Sequence, residues 1–405
     1  MSVEKYDIGL EQALSKTQMH LSPLPPVSLP VDEACGLVVA KDIVALVDCP
    51  SVPTSLKDGY AIISTDLQGA SKPHPVRLKI SGMATAGGDH DLVVETGSAV
   101  KVMTGARIPA GADAVAAIEF ISEEGGWVRC YRDAGPGKNI LPQGTDVAKG
   151  SLIAAKGEVL TPAKTGLVAA GGIYTIQVHP RPRVGVIATG DEVVAPGKPL
   201  RPGQLYASNL VTLLSWLRHF RIQAEAAVVP DKDQEIRKSI ETMLERVDVL
   251  LTSGGAWKSE RDLTTRILAE MGGKTVFHRV RIGPGKAVAL ILLQGKAIFC
   301  LPGGPPSNEM AFLQIALPGL CHLAARLPVP FAFKTARLSA PVGGDIDWTQ
   351  FVQARLEKKE GHWVVTPLKL KSRLLAQASA NAVIKVPEGA ARLEQGEEIQ
   401  VQMLF

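Results

Sequence analysis

Carboxylates, glycine pairs and lysines recur where extended apolar runs of this chain stop. Asp191 and Glu192 follow "RVGVIATG", Asp231 follows "IQAEAAVVP", and Asp262 lies beyond "VDVLLTSGG". Carboxylates gathered at one sheet edge suit a hard divalent cation such as Mg²⁺ bridging phosphate oxygens. Two loops suit anions: "SGGAWKS", with Gly254, Gly255, Trp257 and Lys258, and "LPGGPPSN", with Pro302, Pro305 and Ser307. Each runs from a strand through glycines into a helix start, where N–H groups lack intrahelical partners. Ser307 adds a hydroxyl donor. "IGPGKA" sets Lys286 beyond a Pro-Gly turn, where an ammonium can meet a phosphate or oxyanion. Plainer readings stand beside these. Asp231 can cap its helix, Ser259 to Asp262 is close to a capping box, and glycine is the default for positive φ. The joint placement favours a site; no single residue does.

Other chemistries have little support. The eight histidines are isolated from one another, and the five cysteines are far apart with no C-x-x-C pair. That argues against a thiolate zinc site, a disulfide framework and a Cys-His nucleophile.

The elements that must hold these residues can be read from periodicity. From about residue 181 to 327, strands alternate with helices such as "SNLVTLLSWLRHF", where Leu210, Leu213, Leu214 and Leu217 share a face. In "DKDQEIRKSIETMLERV" the stripe is Ile236, Ile240, Met243, Leu244 and Val247. The pattern predicts an open, mostly parallel α/β sheet whose ligands lie at the carboxyl ends of its strands. Residues 51 to 137 read as a β domain, and short strands at regular spacing after 328 read as a second one.

At 405 residues the chain needs two to four domains, and 46% hydrophobic with 21% charged residues is an ordinary soluble composition. The net charge of +4 is scattered, which excludes nucleic acid as the expected ligand. The start "MSVEKYDIGLEQAL" is charged early, and the uncharged stretch from Thr165 to Val178 is too short and glycine-rich to span a bilayer. No membrane association and a cytoplasmic location are expected.

Taken in order, "PTSLKDGYAI", "VMTGARIPAGADAVAAIE", "GKNILPQGTDVAKG", "VGVIATGDEVVAPG", "TSGGAWKSERDLT", "IGPGKA", "LPGGPPSN" and "SRLLAQASANAVIKVPEG" resemble the molybdopterin molybdenumtransferase family. These are the molybdenum insertases, which include MoeA and the C-terminal domain of gephyrin. The resemblance covers essentially the whole chain. It implies a homodimer of four-domain subunits: a discontinuous linking domain (1–50 and 138–180), a β lever (51–137), a MogA-like α/β domain (181–327) and a C-terminal β-barrel (328–405). It implies insertion of molybdate into adenylylated molybdopterin with Mg²⁺-dependent release of AMP. Other cofactor-biosynthesis proteins or a client molybdoenzyme are the implied partners. By motif match the family's functional acids fall on Asp58, Asp146, Glu192, Asp231 and Asp262, with Thr104, Pro302 and Pro305 matching beside them.

The departures cluster at these loops. Where the family has Val-Ser-Val-Gly, this chain has Ala256-Trp257-Lys258-Ser259. Lys-Pro-Gly-Lys becomes Gly283-Pro284-Gly285-Lys286, Gly-Asn-Pro becomes Gly303-Gly304-Pro305, and the Met before "DGYA" becomes Lys57. Three readings follow: a working insertase with a rebuilt site, an altered paralogue that binds the pterin or molybdate as a carrier, regulator or accessory factor, or a fold relative recruited for scaffolding or another nucleotide-linked chemistry. In the first, Lys258 supplies the cation missing at Gly283 and Trp257 offers an apolar face to the pterin. Lys258→Ala then weakens molybdate binding about tenfold or more, the worth of one charge-assisted contact, as a binding titration would read.

Overall fold

The computed structural model describes residues 8–88, 91–254, 263–368 and 370–405. It divides into two compact units, Met1–Pro26 with His179–Phe405, and Val27–Val178.

The first unit begins its α/β portion with β1 (Val184–Thr189), α1 (Ser208–His219), β2 (Ala224–Val229), α2 (Asp233–Leu244) and β3 (Val249–Ser253). It continues with α3 (Leu263–Glu270), β4 (Lys274–His278), β5 (Ala289–Leu293), β6 (Lys296–Leu301) and α4 (Pro305–Ala311). The six strands lie in the order β2-β1-β3-β6-β5-β4. Pairings from β2 to β6 are parallel, as expected. Every residue of β1 and β3 is buried, because helices cover both faces of a parallel sheet and leave no polar side. Helix α1 turns Leu210, Leu213, Trp216 and Leu217 inward, with Leu214 packed partly against the same core. Helix α2 buries Ile236, Ile240, Met243 and Leu244.

The β4–β5–β6 edge is antiparallel, an extension that the helix-strand alternation does not predict. Leu293 pairs with Lys296, so only Gln294 and Gly295 form the turn, with φ of 53° and 77°. Two successive positive φ values mark a hairpin turn whose twist matches its strands. Glycine takes that geometry freely, whereas Gln294 is a weak sequence signal for it.

Helix α4 runs on through a wide π turn at Phe312–Ala316 into a further helix, Leu317–Leu323. Pro318 has no N–H to donate, and the wider turn accommodates the missing bond. The N-terminal helix Leu10–His20 packs its Leu10 and Ala13 on this same core.

The C-terminal strands β7 (Phe333–Leu338), β8 (Thr349–Lys359), β9 (His362–Pro367), β10 (Ala382–Val386) and β11 (Glu398–Met403) close into a five-stranded barrel, β8-β9-β7-β11-β10 and back to β8. Closure removes both sheet edges, and Ala336, Leu338, Leu356, Val365, Ile384 and Val401 fill the interior. Between β9 and β10, Ser372 caps the short helix α5 (Arg373–Ser379) by accepting from Leu375 N at 3.2 Å. The pair Ile282–Gly283 hydrogen-bonds with the start of β8, tying the α/β portion to the barrel.

The second unit is mostly strand. One six-stranded sheet contains Gly59–Ile62, Val76–Ala84, Ser98–Val102, Ala114–Ala117, Ile121–Glu124 and Trp127–Cys130. A separate core draws Val31, Leu37, Val39 and Ile43 together with Ile153, Leu160, Val168 and Ile176. Its helix Pro162–Ala170 starts with Thr161 as N-cap and Pro162 in the first turn, the arrangement that a helix start favours.

Candidate active site

Parallel strands that share a direction must bring their carboxyl ends to one edge, and a cleft of about 690 Å³ opens there. Thr189 and Glu192 reach it from the end of β1, and Ser253 and Gly254 from the end of β3. Gly303, Gly304 and Pro305 come from the loop after β6, and Ser208 and Asn209 from the start of α1. Lys371, Ser372 and Arg373 close it from the barrel segment.

The loops are held by a small polar network. Asn308, 1% exposed, donates to Ser253 Oγ at 3.0 Å and to the Pro302 carbonyl at 2.8 Å. Asn209 donates to the Gly303 carbonyl at 2.7 Å and reaches Ser253 Oγ at 3.4 Å. The end of β3 and the Pro302–Gly303 segment therefore keep a fixed separation. The Thr189 hydroxyl, also on the lining, is buried with no partner among the described residues.

The glycines differ in kind. Gly254 has φ +108°, and a Cβ there would fall 2.5 Å from the Thr189 carbonyl oxygen, so only glycine fits. At Gly304 the nearest atoms to an added Cβ are Arg373 Nη1 at 3.8 Å and Ser307 Oγ at 3.9 Å. Glycine there leaves room for a ligand beside a guanidinium.

Acids collect at the same edge. Asp191 Oδ1 accepts from the Asp231 backbone N–H at 3.1 Å. Partial desolvation, then the charges of Asp191 and Glu192, hold the Asp231 carboxyl above its ordinary range. Asp191, Glu192 and Asp231 are thus one electrostatic group, although no three ligand-type side chains among the described residues converge on a single point.

Other candidate residues lie elsewhere. Lys286 Nζ sits 4.3 Å from the Trp348 ring centroid in a cation–π contact and is not on the cleft lining. A Cβ on Gly283 would meet Gln350 Oε1 at 2.4 Å, so a lysine there must first displace that amide. Pro302 is buried behind the loop, Pro305 starts α4, and Ser307 is half-buried within it. Gly255, Trp257, Lys258 and Asp262 lie outside the described residues.

Asp58, Thr104 and Asp146 belong to the Val27–Val178 unit. The Thr104 backbone N–H and hydroxyl both donate to Asp58 Oδ1, at 2.7 and 2.8 Å, and hold this carboxyl below its ordinary range. Gly59 lies so close to Ala116 that a Cβ would fall 2.1 Å from its carbonyl oxygen, which fixes the turn carrying Asp58. Lys57 makes a 3.9 Å exposed contact with Glu119, a surface pair of small worth. Asp146 is an exposed turn residue whose N–H donates to the Cys49 carbonyl at 3.0 Å. Thr104→Val removes one of the two donors, and the Asp58 pKa rises toward the usual aspartate value. A carboxyl-carbon NMR titration reads the shift. Because the folded value is depressed, the stability linked to Asp58 is present above the ordinary aspartate pKa and lost as pH falls through the folded value; the variant loses it at higher pH.

Sequence reasoning missed Lys371, Arg373, Asn209 and Asn308. Lys371 and Arg373 stand in "KSRLLAQ", which overlaps the last of the ordered family motifs, but with no glycine turn or strand-end acid it gives no local sign of an anion site.

A strand-end cleft between an α/β sheet and a closed barrel defines a multidomain α/β protein that takes its ligand outside the carboxyl ends of its strands. The chain matches the MoeA N-terminal region (domain I and II) over residues 8–172, the probable molybdopterin binding domain over 185–322, and the MoeA C-terminal region (domain IV) over 335–404. Molybdopterin molybdenumtransferase 2 of Mycobacterium tuberculosis is 33% identical over 391 residues, covering 93% of this chain and 94% of that protein. The molybdopterin molybdenumtransferase of Haemophilus influenzae is 35% identical over 321 residues, 78% of each. A crystal structure of the molybdopterin biosynthesis MoeA protein from a Pyrococcus species covers 98% of both chains at 32% identity, with a TM-score of 0.82. The chain belongs to the molybdopterin molybdenumtransferase family of molybdenum cofactor biosynthesis.

Proposed function

We infer that this protein is a transferase of molybdenum cofactor biosynthesis, and that it inserts molybdate into adenylylated molybdopterin with release of AMP. The observation that carries the reading is the cleft itself, whose lining brings together Gly254, Gly303 and Gly304, the cationic pair Lys371 and Arg373, and Glu192. An adenylylated dithiolene brings a pyrophosphate, and molybdate is itself an oxyanion. The backbone N–H groups of Gly303 and Gly304 before α4, whose first two residues are prolines without an N–H, and the Arg373 guanidinium are suited to both. Fixed donors of this kind hold a developing charge without reorganising.

Mg²⁺ fits the donor set. Asp191, Glu192 and Asp231 are hard oxygen donors whose mutual repulsion a cation relieves, and Mg²⁺ usually keeps several waters and needs only one or two carboxylates. When bound, it would draw charge from the phosphate oxygens as AMP leaves. Asp262, by its place after β3, joins this set in the same reading. The family resemblance further supports a homodimer in the cytoplasm. No helix among the described residues is long and apolar enough to cross a membrane.

Complementation of an insertase-deficient strain tests the reading, followed by insertion assays on the purified chain with Mg²⁺ titrated. Asp231→Asn is expected to raise the Mg²⁺ concentration needed for half-maximal insertion severalfold while the melting temperature stays near that of the parent. A parent chain that binds the pterin yet inserts no metal would establish the carrier reading instead.

A further inference from the structure

Beyond the cleft, the space between α1 and α5 forms a second pocket of about 450 Å³. Leu374 lines both spaces. The helices continue from one to the other in step: Asn209 on α1 faces the cleft, and Thr212 and Trp216 face the pocket. On α4, Pro305 faces the cleft, and Glu309, one turn later, faces the pocket.

The chemistry of this pocket is opposite to that of the cleft. No lysine or arginine is on its described lining. Its polar end is Glu309, a carboxyl only 6% exposed, whose Oε1 accepts from Trp216 Nε1 at 2.9 Å. Glu309 Oε2 accepts from Gln353 Nε2 at a long 3.4 Å, and the Gln377 side chain lines the same pocket. Both donors are neutral, and a carboxylate has about four acceptor sites. Beside it, Gln377 Oε1 is buried without a donor among the described residues. Unmet acceptors at a buried site cost free energy that a ligand with N–H donors recovers. Thr212, Ser215 and His219 add polar groups along α1, and the rest of the lining, Val211, Leu374, Ala378, Ala380, Leu404 and Phe405, is apolar. A pocket of this size with few convergent polar groups is typical of small-molecule sites.

We propose that this pocket receives the pterin ring of the substrate, with Glu309 and Gln377 accepting hydrogen bonds from its 2-amino and N3–H edge. That edge carries two parallel N–H donors on one side of a flat ring, matched to a carboxylate as a guanidinium fork is. The proposal rests on the reading that the cleft takes the phosphate and oxyanion end of molybdopterin; the substrate then lies along α1 with its heterocycle toward Trp216. Guanine carries the same donor edge, so the test must separate the two sources.

The full chain is titrated by calorimetry with pterin, with lumazine, in which an oxo group replaces the 2-amino group, and with guanosine, all without molybdate or Mg²⁺. Pterin is expected to bind at least tenfold more tightly than lumazine, and Glu309→Gln to remove both that preference and at least tenfold of pterin affinity. Ala378→Phe fills the pocket from an exposed helix face and is expected to abolish pterin binding with the fold intact, which covers the case in which Glu309→Gln does not fold. Equal binding of pterin and lumazine, no pterin binding, or a folded Ala378→Phe that binds pterin like the parent overturns the proposal. Guanosine binding more tightly than pterin overturns the pterin assignment in favour of a purine. Insertion is assayed in parallel: pterin binding with these preferences in a chain that inserts no molybdate supports the pocket and counts against the cleft reading alone.

Discussion

Replacing Arg373 with alanine is expected to slow molybdate insertion by about tenfold to a hundredfold while leaving the melting temperature almost unchanged. Arg373 is exposed on the cleft wall, so no core packing is lost. What is lost is a planar donor whose Nη1 stands 3.8 Å from the point where a Cβ of Gly304 would be. One charge-assisted hydrogen bond is worth roughly 1.5–3 kcal/mol, and about 1.4 kcal/mol is a factor of ten in rate. Arg373→Lys keeps the charge but not the fork, and is expected to recover only part of the rate. Single-turnover insertion with the purified chain measures all three proteins. An alanine variant as fast as the parent would remove Arg373 from the oxyanion site and leave Lys371 as the described cation of the cleft.

The second large effect falls on Gly254. Alanine there must adopt φ near +108° and drive its Cβ to within 2.5 Å of the Thr189 carbonyl oxygen. That carbonyl cannot retreat easily, because β1 is paired on both sides, with β2 and with β3. Strain of this kind costs on the order of 1–3 kcal/mol, and the loop relieves it by moving away from Thr189. Gly254→Ala is therefore expected to melt several degrees earlier and to lose ligand binding at the cleft. Gly303→Ala is the control: its Cβ meets nothing nearer than Gly254 Cα at 3.8 Å, so stability should hold. Thermal melts of both variants decide the matter. Similar melting temperatures for the two would mean that the Gly254 turn relaxes without cost.

The sequence by itself determined the strand-turn-helix units and the edge where Asp191, Glu192, Asp231, Gly254 and Gly303 meet. The reason is local: a period of two or of 3.6 sets which residues face inward, and parallel strands joined by helices must end on one side. The ordered motifs also carried the family, because their sequence of appearance is a property of the chain alone. The hairpin at Gln294–Gly295 was not legible, since glutamine at positive φ has no compositional mark.

What only the tertiary structure decided is which distant side chains share a space. Lys371 and Arg373 reach the cleft because the barrel closes with α5 against the start of α4, and nothing in "KSRLLAQ" announces that packing. Lys286, a plausible anion ligand by spacing, is drawn instead to the face of Trp348. Glu309 reads as one polar residue in an apolar helix, yet packing sets it against Trp216 from α1 and Gln353 from β8. Local periodicity fixes the direction of a side chain within its own element. Its partners are fixed by which elements bury their apolar faces against one another.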